Sequence, residues 1–100
     1  QAAAAGDATA GKTVFLSSGC GSCHTLADAG PGAVGQIGPN LDVELANQDE
    51  GFIMTSIIDP SAEVEQGFGD GIMPQDYETQ LSSKELADLV AYLSASAGSK

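Results

Sequence analysis

The chain has 100 residues, which suffices for one domain with a modest core. It carries 14 acidic residues against three lysines and no arginine, a formal net charge of -11. This charge disfavours binding to nucleic acid or to an anionic membrane surface, because both depend on clustered lysine and arginine. Intrinsic disorder is also disfavoured, since 42% of the residues are hydrophobic, although only 5% are aromatic and 13 are glycine.

The N-terminal part of the chain predicts a stub and then a helix. We expect residues 1–8 to be a flexible stub or linker, left by processing or by cutting from a longer chain, and residues 9–98 to form the domain. Asp7 is a suitable N-cap for a helix from about Ala8 to Ser18. No stretch approaches the roughly 20 apolar residues that span a bilayer.

Two further helices are predicted, each preceded by a long glycine-rich loop. After the loop at 30–39, Asn47 and Glu50 resemble a capping box that opens a helix through residues 52–58. We expect a second loop over 61–80. A clear capping box, Ser82 with Glu85, then opens the last helix. Its apolar residues recur at helical spacing: Leu86, Leu89, Val90 and Leu93.

The fold class predicted from this pattern is all-α, with three main helices. Loops of about 15 to 20 residues without regular structure are unusual in a compact domain unless they wrap around a bound group. A large bound cofactor would explain both the loops and the scarcity of aromatic core residues.

The segment Cys20-Gly21-Ser22-Cys23-His24 carries the chemistry, because it has the Cys-x-x-Cys-His spacing of c-type haem attachment. The two thiols can add to the two vinyl groups on one edge of a porphyrin, and the imidazole that follows can reach the iron. We therefore expect one covalent haem c. A redox-active dithiol and a zinc site completed by a carboxylate remain the alternatives.

The sixth iron ligand is expected to be a methionine, because the chain has no second histidine or third cysteine. Met73 lies in a glycine-rich loop before the last helix, whereas Met54 lies inside a predicted helix and is better explained as core. We therefore predict His24 and Met73 as the axial pair. Such a pair raises the reduction potential and leaves no open position for oxygen.

The chain resembles small class I c-type cytochromes from about Gly11 to Leu93. Four pieces carry the resemblance in the family's order: the first helix with Gly11 and Phe15, the segment Cys20–His24, Gly38-Pro39-Asn40-Leu41, and Met73-Pro74 before the last helix. The stretch from residue 56 to 74 is similar to cytochrome c domains fused to subunit II of haem–copper oxidases.

The resemblance implies roles for further residues. The Pro39 carbonyl would accept from the His24 imidazole, and Leu41 would pack on the haem. Leu89 and Tyr92 would cross the first helix at Gly11 and Phe15.

The predicted function is one-electron transfer between respiratory or photosynthetic redox partners, without enzymatic activity of its own. The alternatives are a haem domain that relays electrons inside a larger oxidase or dehydrogenase complex, and a thiol oxidoreductase. We expect a monomer in the periplasm or another extracytoplasmic space, free, tethered to a membrane or excised. The carboxylates are expected to be solvated surface whose field steers a basic donor or acceptor protein.

Overall fold

The computed structural model describes residues 6–46, 48–59 and 77–98. Within these ranges the regular structure is helical, with one isolated antiparallel bridge between Thr25 and Val34. The all-α prediction is therefore confirmed. The helices are α1 (Ala8–Ser17), α2 (Cys20–Cys23), α3 (Leu41–Glu44), α4 (Glu50–Ile58), α5 (Tyr77–Gln80) and α6 (Ser83–Leu93), with a 3₁₀ stretch at Ala27–Gly32 and a π-helical turn at Ser94–Gly98.

The helix ends follow from local hydrogen bonding. The Asp7 carboxylate accepts from the amides of Thr9 and Ala10, so Asp7 is the N-cap of α1 as predicted. The Ser82 hydroxyl and the Glu85 carboxylate each accept from the other residue's amide, which confirms the capping box of α6.

Two details of the middle of the chain differ from the sequence predictions. Helix α4 begins at Glu50 with Asp49 as its N-cap, whose carboxylate accepts from the Phe52 amide. Asn47, which we expected to open this helix, lies outside the described residues. The short helix α5 lies in a segment that we expected to be loop, whereas α4 ends at Ile58, where the predicted helix also ends.

Helices α1 and α6 form the main helix–helix contact of the described chain, and Gly11 permits it. A Cβ atom built on Gly11 would overlap the main-chain carbonyl of Asp88 and lie 2.7 Å from the Tyr92 Cβ. One turn later the Phe15 and Tyr92 rings meet edge to face at 5.9 Å. The crossing inferred from the family resemblance is therefore present.

A buried carboxylate strengthens the same contact. Asp88 is 4% exposed and accepts from the Asp7 amide at 2.8 Å and from the Lys84 ammonium at 2.8 Å. These bonds to the charged form, with the Lys84 bond the largest cause, lower the pKa of the Asp88 carboxyl. Asp88 thus joins the start of α1 to the middle of α6. The division between stub and domain at residue 8 stays a prediction.

The hydrophobic core lies between α1, α4, α6 and the segment that follows α2. Its largest fully buried side chains are Phe15, Leu26, Ile53, Leu89 and Val90.

The described helices include no segment with the length and hydrophobicity of a membrane span. The α2 turn lies at the edge of the hydrophobic core, and both of its cysteines are half-buried.

Candidate functional site

The two cysteines lie one helical turn apart on α2. Gly19 precedes them with a left-handed φ of 79°, a conformation that favours glycine, and it lets α2 start directly after α1. Residues three apart on a helix share a face, so the thiols of Cys20 and Cys23 lie on the same side of the turn. The two cysteines do not form a disulfide with each other.

Burial raises the pKa of the Cys20 thiol to about 11, although a hydrogen bond with Tyr77 opposes part of this effect. The Tyr77 hydroxyl also donates to the Ser18 carbonyl at 3.3 Å, which joins α5 to the end of α1. Thiol–disulfide chemistry depends on a thiolate, and reactive dithiols have a lowered pKa. The environment of Cys20 therefore does not favour the thiol oxidoreductase alternative.

His24 follows α2 in an extended conformation, and its imidazole contacts the backbone of a later loop. Its Nδ1 lies 2.7 Å from the Pro39 carbonyl oxygen. A carbonyl oxygen only accepts, so Nδ1 carries the proton and the Nε2 lone pair is available to a metal. Burial lowers the pKa of the His24 imidazole, which favours this neutral form.

The loop that carries Pro39 lies directly over the α2 turn. The Gly35 amide donates to the Gly21 carbonyl at 3.1 Å, and the Gly38 amide donates to the Cys23 carbonyl at 2.7 Å. A Cβ built on Gly38 would lie 2.6 Å from Cε1 and 2.9 Å from Nδ1 of His24. Only glycine lets the backbone pass this close to the ring.

Thr25 is a site residue that the sequence analysis missed. Its hydroxyl donates to the Gly35 carbonyl at 3.0 Å, and its own carbonyl accepts from the Leu41 amide at 2.9 Å. Its position directly after His24 is its one distinguishing feature in the sequence. Nothing in the local spacing indicates that it holds both ends of the Pro39 loop.

Four of the six predicted site residues come together around the α2 turn, and a fifth lies beside them. The α2 turn carries Cys20 and Cys23, and it is followed by His24, whose ring contacts Pro39. Leu41 is buried at the start of α3. Met73 lies outside the described residues. Met54 is described and packs partly buried against the hydrophobic core.

This arrangement fits a covalently attached haem. It offers two cysteines on one helical face that are not joined as a disulfide, a neutral imidazole with Nε2 available, and a glycine-containing loop over that ring. In the described ranges no three His, Cys, Asp or Glu side chains form a group that could hold a metal ion.

Comparisons with known proteins agree with this geometry. The family model described as Cytochrome c matches residues 8–97. Among solved structures, the c-type cytochrome SorU from Sinorhizobium meliloti is 35% identical, with 91% of each chain covered and a TM-score of 0.66. No curated protein matches the chain.

Proposed function

The chain belongs to the cytochrome c family and so carries a covalent haem c and transfers electrons, and on that premise we propose that His24 and Met73 are the axial ligands. Membership confirms the resemblance, the cytochrome c fold and the haem c cofactor that we predicted. Cys20 and Cys23 fit the attachment motif. The ligand assignment and the identity of the partners are the proposal.

The observation that carries the His24 assignment is the 2.7 Å bond between Nδ1 and the Pro39 carbonyl. It holds the proton on Nδ1, orients the ring and makes Nε2 a more basic donor. When bound, the haem supplies a one-electron couple between Fe(III) and Fe(II). The residues of the chain tether it, donate Nε2 and keep the imidazole in one tautomer.

Met73 is supported as the second ligand by its sequence context and by the position of Met54. Met54 is on α4, whose neighbours Ile53 and Ile57 are buried, and it packs against the core as a structural side chain does. Met73 precedes Pro74 in the segment that leads to α5 and α6.

We expect Met73→Ala to abolish the weak charge-transfer band that marks a methionine–iron bond in the oxidised protein. The same substitution should lower the reduction potential, because the thioether ligand favours Fe(II). Absorption spectroscopy and redox titration of the purified holoprotein measure both quantities.

Met54→Ala is the matched control, because it removes the same side chain from the core. It should keep the charge-transfer band and lose stability by roughly 2–3 kcal/mol, as truncation of a partly buried methionine does. Loss of the band in the Met54 variant alone would overturn the assignment.

We further propose that the protein exchanges electrons in an extracytoplasmic space with partners whose docking surfaces are basic. Within the described residues, Lys84 lies 2.8 Å from Asp88 and Lys12 lies 4.0 Å from Asp28, so both lysines are close to carboxylates. With a net charge of -11, the field around the protein attracts cations. Redox encounters are small and transient, which agrees with a monomer.

The loop beside His24 also exposes apolar surface that a partner could cover. Val34 is 64% exposed and Ile37 is 56% exposed, and both belong to the loop that lies over the α2 turn. Apolar side chains of this kind commonly form the centre of a protein interface.

The rate of electron transfer to a basic partner should fall as salt concentration rises, by roughly tenfold or more between low and physiological ionic strength. Stopped-flow mixing with a lysine-rich mitochondrial-type cytochrome c measures this rate. A neutral hydroquinone as reductant is the control, since its rate should not depend on salt. A rate with the basic protein that is independent of salt would contradict the proposal.

A further inference from the structure

We propose that Thr25 is a positioning residue that holds the Pro39 carbonyl on His24 by binding both ends of the loop at residues 35–41. The inference rests on the proposed His24 ligation. It adds a residue that acts on His24 through the loop and is not itself proposed as an iron ligand.

Thr25 binds the loop at residues 35–41 at both of its ends. The Thr25 hydroxyl binds the carbonyl of Gly35 at 3.0 Å, and the Thr25 carbonyl binds the amide of Leu41 at 2.9 Å. Pro39 lies between these two attachment points, and its carbonyl is 2.7 Å from Nδ1. Thr25 directly follows His24 in the chain. The residue that carries the imidazole is therefore next to the residue that binds both ends of the loop.

Of the two bonds that Thr25 makes to the loop, only the bond from its hydroxyl to the Gly35 carbonyl depends on its side chain. The amides of Gly35 and Gly38 also bind the α2 turn, but these are main-chain bonds that do not require a particular side chain. The isolated bridge to Val34 likewise uses only the backbone of Thr25. Removing the hydroxyl therefore leaves the fold of the loop possible, but its Gly35 end is then held only by main-chain contacts such as the bond from the Gly35 amide to the Gly21 carbonyl.

The consequence for the iron follows from the strength of the Nδ1–H···O bond. Hydrogen bonds weaken steeply as distance and angle depart from the optimum. A well-held Pro39 carbonyl makes the imidazole a more basic ligand, which stabilises Fe(III) relative to Fe(II). Loosening the loop should therefore raise the reduction potential.

Thr25→Val removes the hydroxyl with little change in shape or backbone preference. We expect the midpoint potential of the holoprotein to rise, and the Nδ1 proton of His24 to exchange with solvent about fivefold faster, as the loss of one hydrogen bond allows. Redox titration and NMR of the imidazole proton measure these two effects. Thr25→Ser keeps the hydroxyl and should restore both values.

Thr13→Val is the matched control, because Thr13 is exposed on α1 and the same chemical change there should move neither value. If Thr25→Val yields no holoprotein, Thr25→Ala tests the same hydroxyl with less bulk. A potential and an exchange rate that equal those of the parent, even with lower stability, would overturn the inference. A parent holoprotein without His24 on the iron would instead overturn the proposed function.

Discussion

Gly11→Ala is expected to destabilise the protein by about 2 kcal/mol or more, equivalent to a fall of roughly 10 °C in Tm. The added Cβ would overlap the carbonyl of Asp88 and lie 2.7 Å from the Cβ of Tyr92. Both are parts of helix α6 that cannot rotate away, so the two helices must separate. Denaturant unfolding of the holoprotein measures the loss as a lower midpoint at unchanged m-value.

Separation of these helices would also weaken the contacts next to Gly11. The edge-to-face pair of Phe15 and Tyr92 and the bond from the Asp7 amide to Asp88 both depend on the same interhelical distance. For this reason the effect should exceed the gain of about 1 kcal/mol in helix propensity that alanine normally brings over glycine.

Gly51→Ala is the control for propensity alone. Gly51 is exposed on α4, and the nearest atom to an added Cβ is an Asp49 carboxylate oxygen at 3.4 Å. This variant should be more stable than the parent by roughly 0.5–1 kcal/mol. If Gly11→Ala were as stable as Gly51→Ala, the close helix crossing would be contradicted.

Gly38→Ala should disturb the His24 imidazole directly and lower the free energy of unfolding by roughly 1–3 kcal/mol. The new Cβ would lie 2.6 Å from Cε1 and 3.1 Å from Nε2 of the ring. Either the ring rotates or the loop lifts, and each movement lengthens the bond from Nδ1 to the Pro39 carbonyl. We expect a raised reduction potential together with the loss of stability, measured by redox titration and by denaturant unfolding.

Ile37→Ala is the adjacent control for Gly38→Ala. Ile37 is 56% exposed, so its truncation should change stability by less than about 0.5 kcal/mol and leave the potential unaltered. A Gly38→Ala protein with the potential and stability of the parent would show that the loop can leave the ring at little cost.

The roles of the acidic residues were only partly predictable from the composition of the chain. From the sequence we expected them to be solvated charge, yet several also hold the backbone in place. Asp49 caps α4, Asp42 accepts from the Ala27 amide at 2.9 Å, and Asp28 accepts from the Tyr92 hydroxyl at 2.8 Å. The last two bonds join distant parts of the chain, which a count of charges does not reveal.

Spacing within short segments was enough to predict the covalent chemistry and the helices α1 and α6, whereas the short helices α2, α3 and α5 were not predicted. The spacing of Cys20, Cys23 and His24 identified the cofactor, because attachment to one porphyrin edge and to its iron requires neighbouring residues. The periodicity and the Ser82–Glu85 capping box identified α6, because helix signals arise within a few turns of one segment. The bounds of α1 and the start of α6 were accordingly predicted well.

The family resemblance implied the bond from His24 to the Pro39 carbonyl, but only the folded chain shows how the loop that makes this bond is held. Thr25 contacts Gly35 and Leu41, and Gly38 passes over the ring of His24, only because the chain returns to the α2 turn after the intervening loop. Such contacts depend on the path of a glycine-rich segment, for which side-chain spacing provides no periodic signal. The glycines counted at the outset allow that close approach, at Gly11 between helices and at Gly38 over the imidazole.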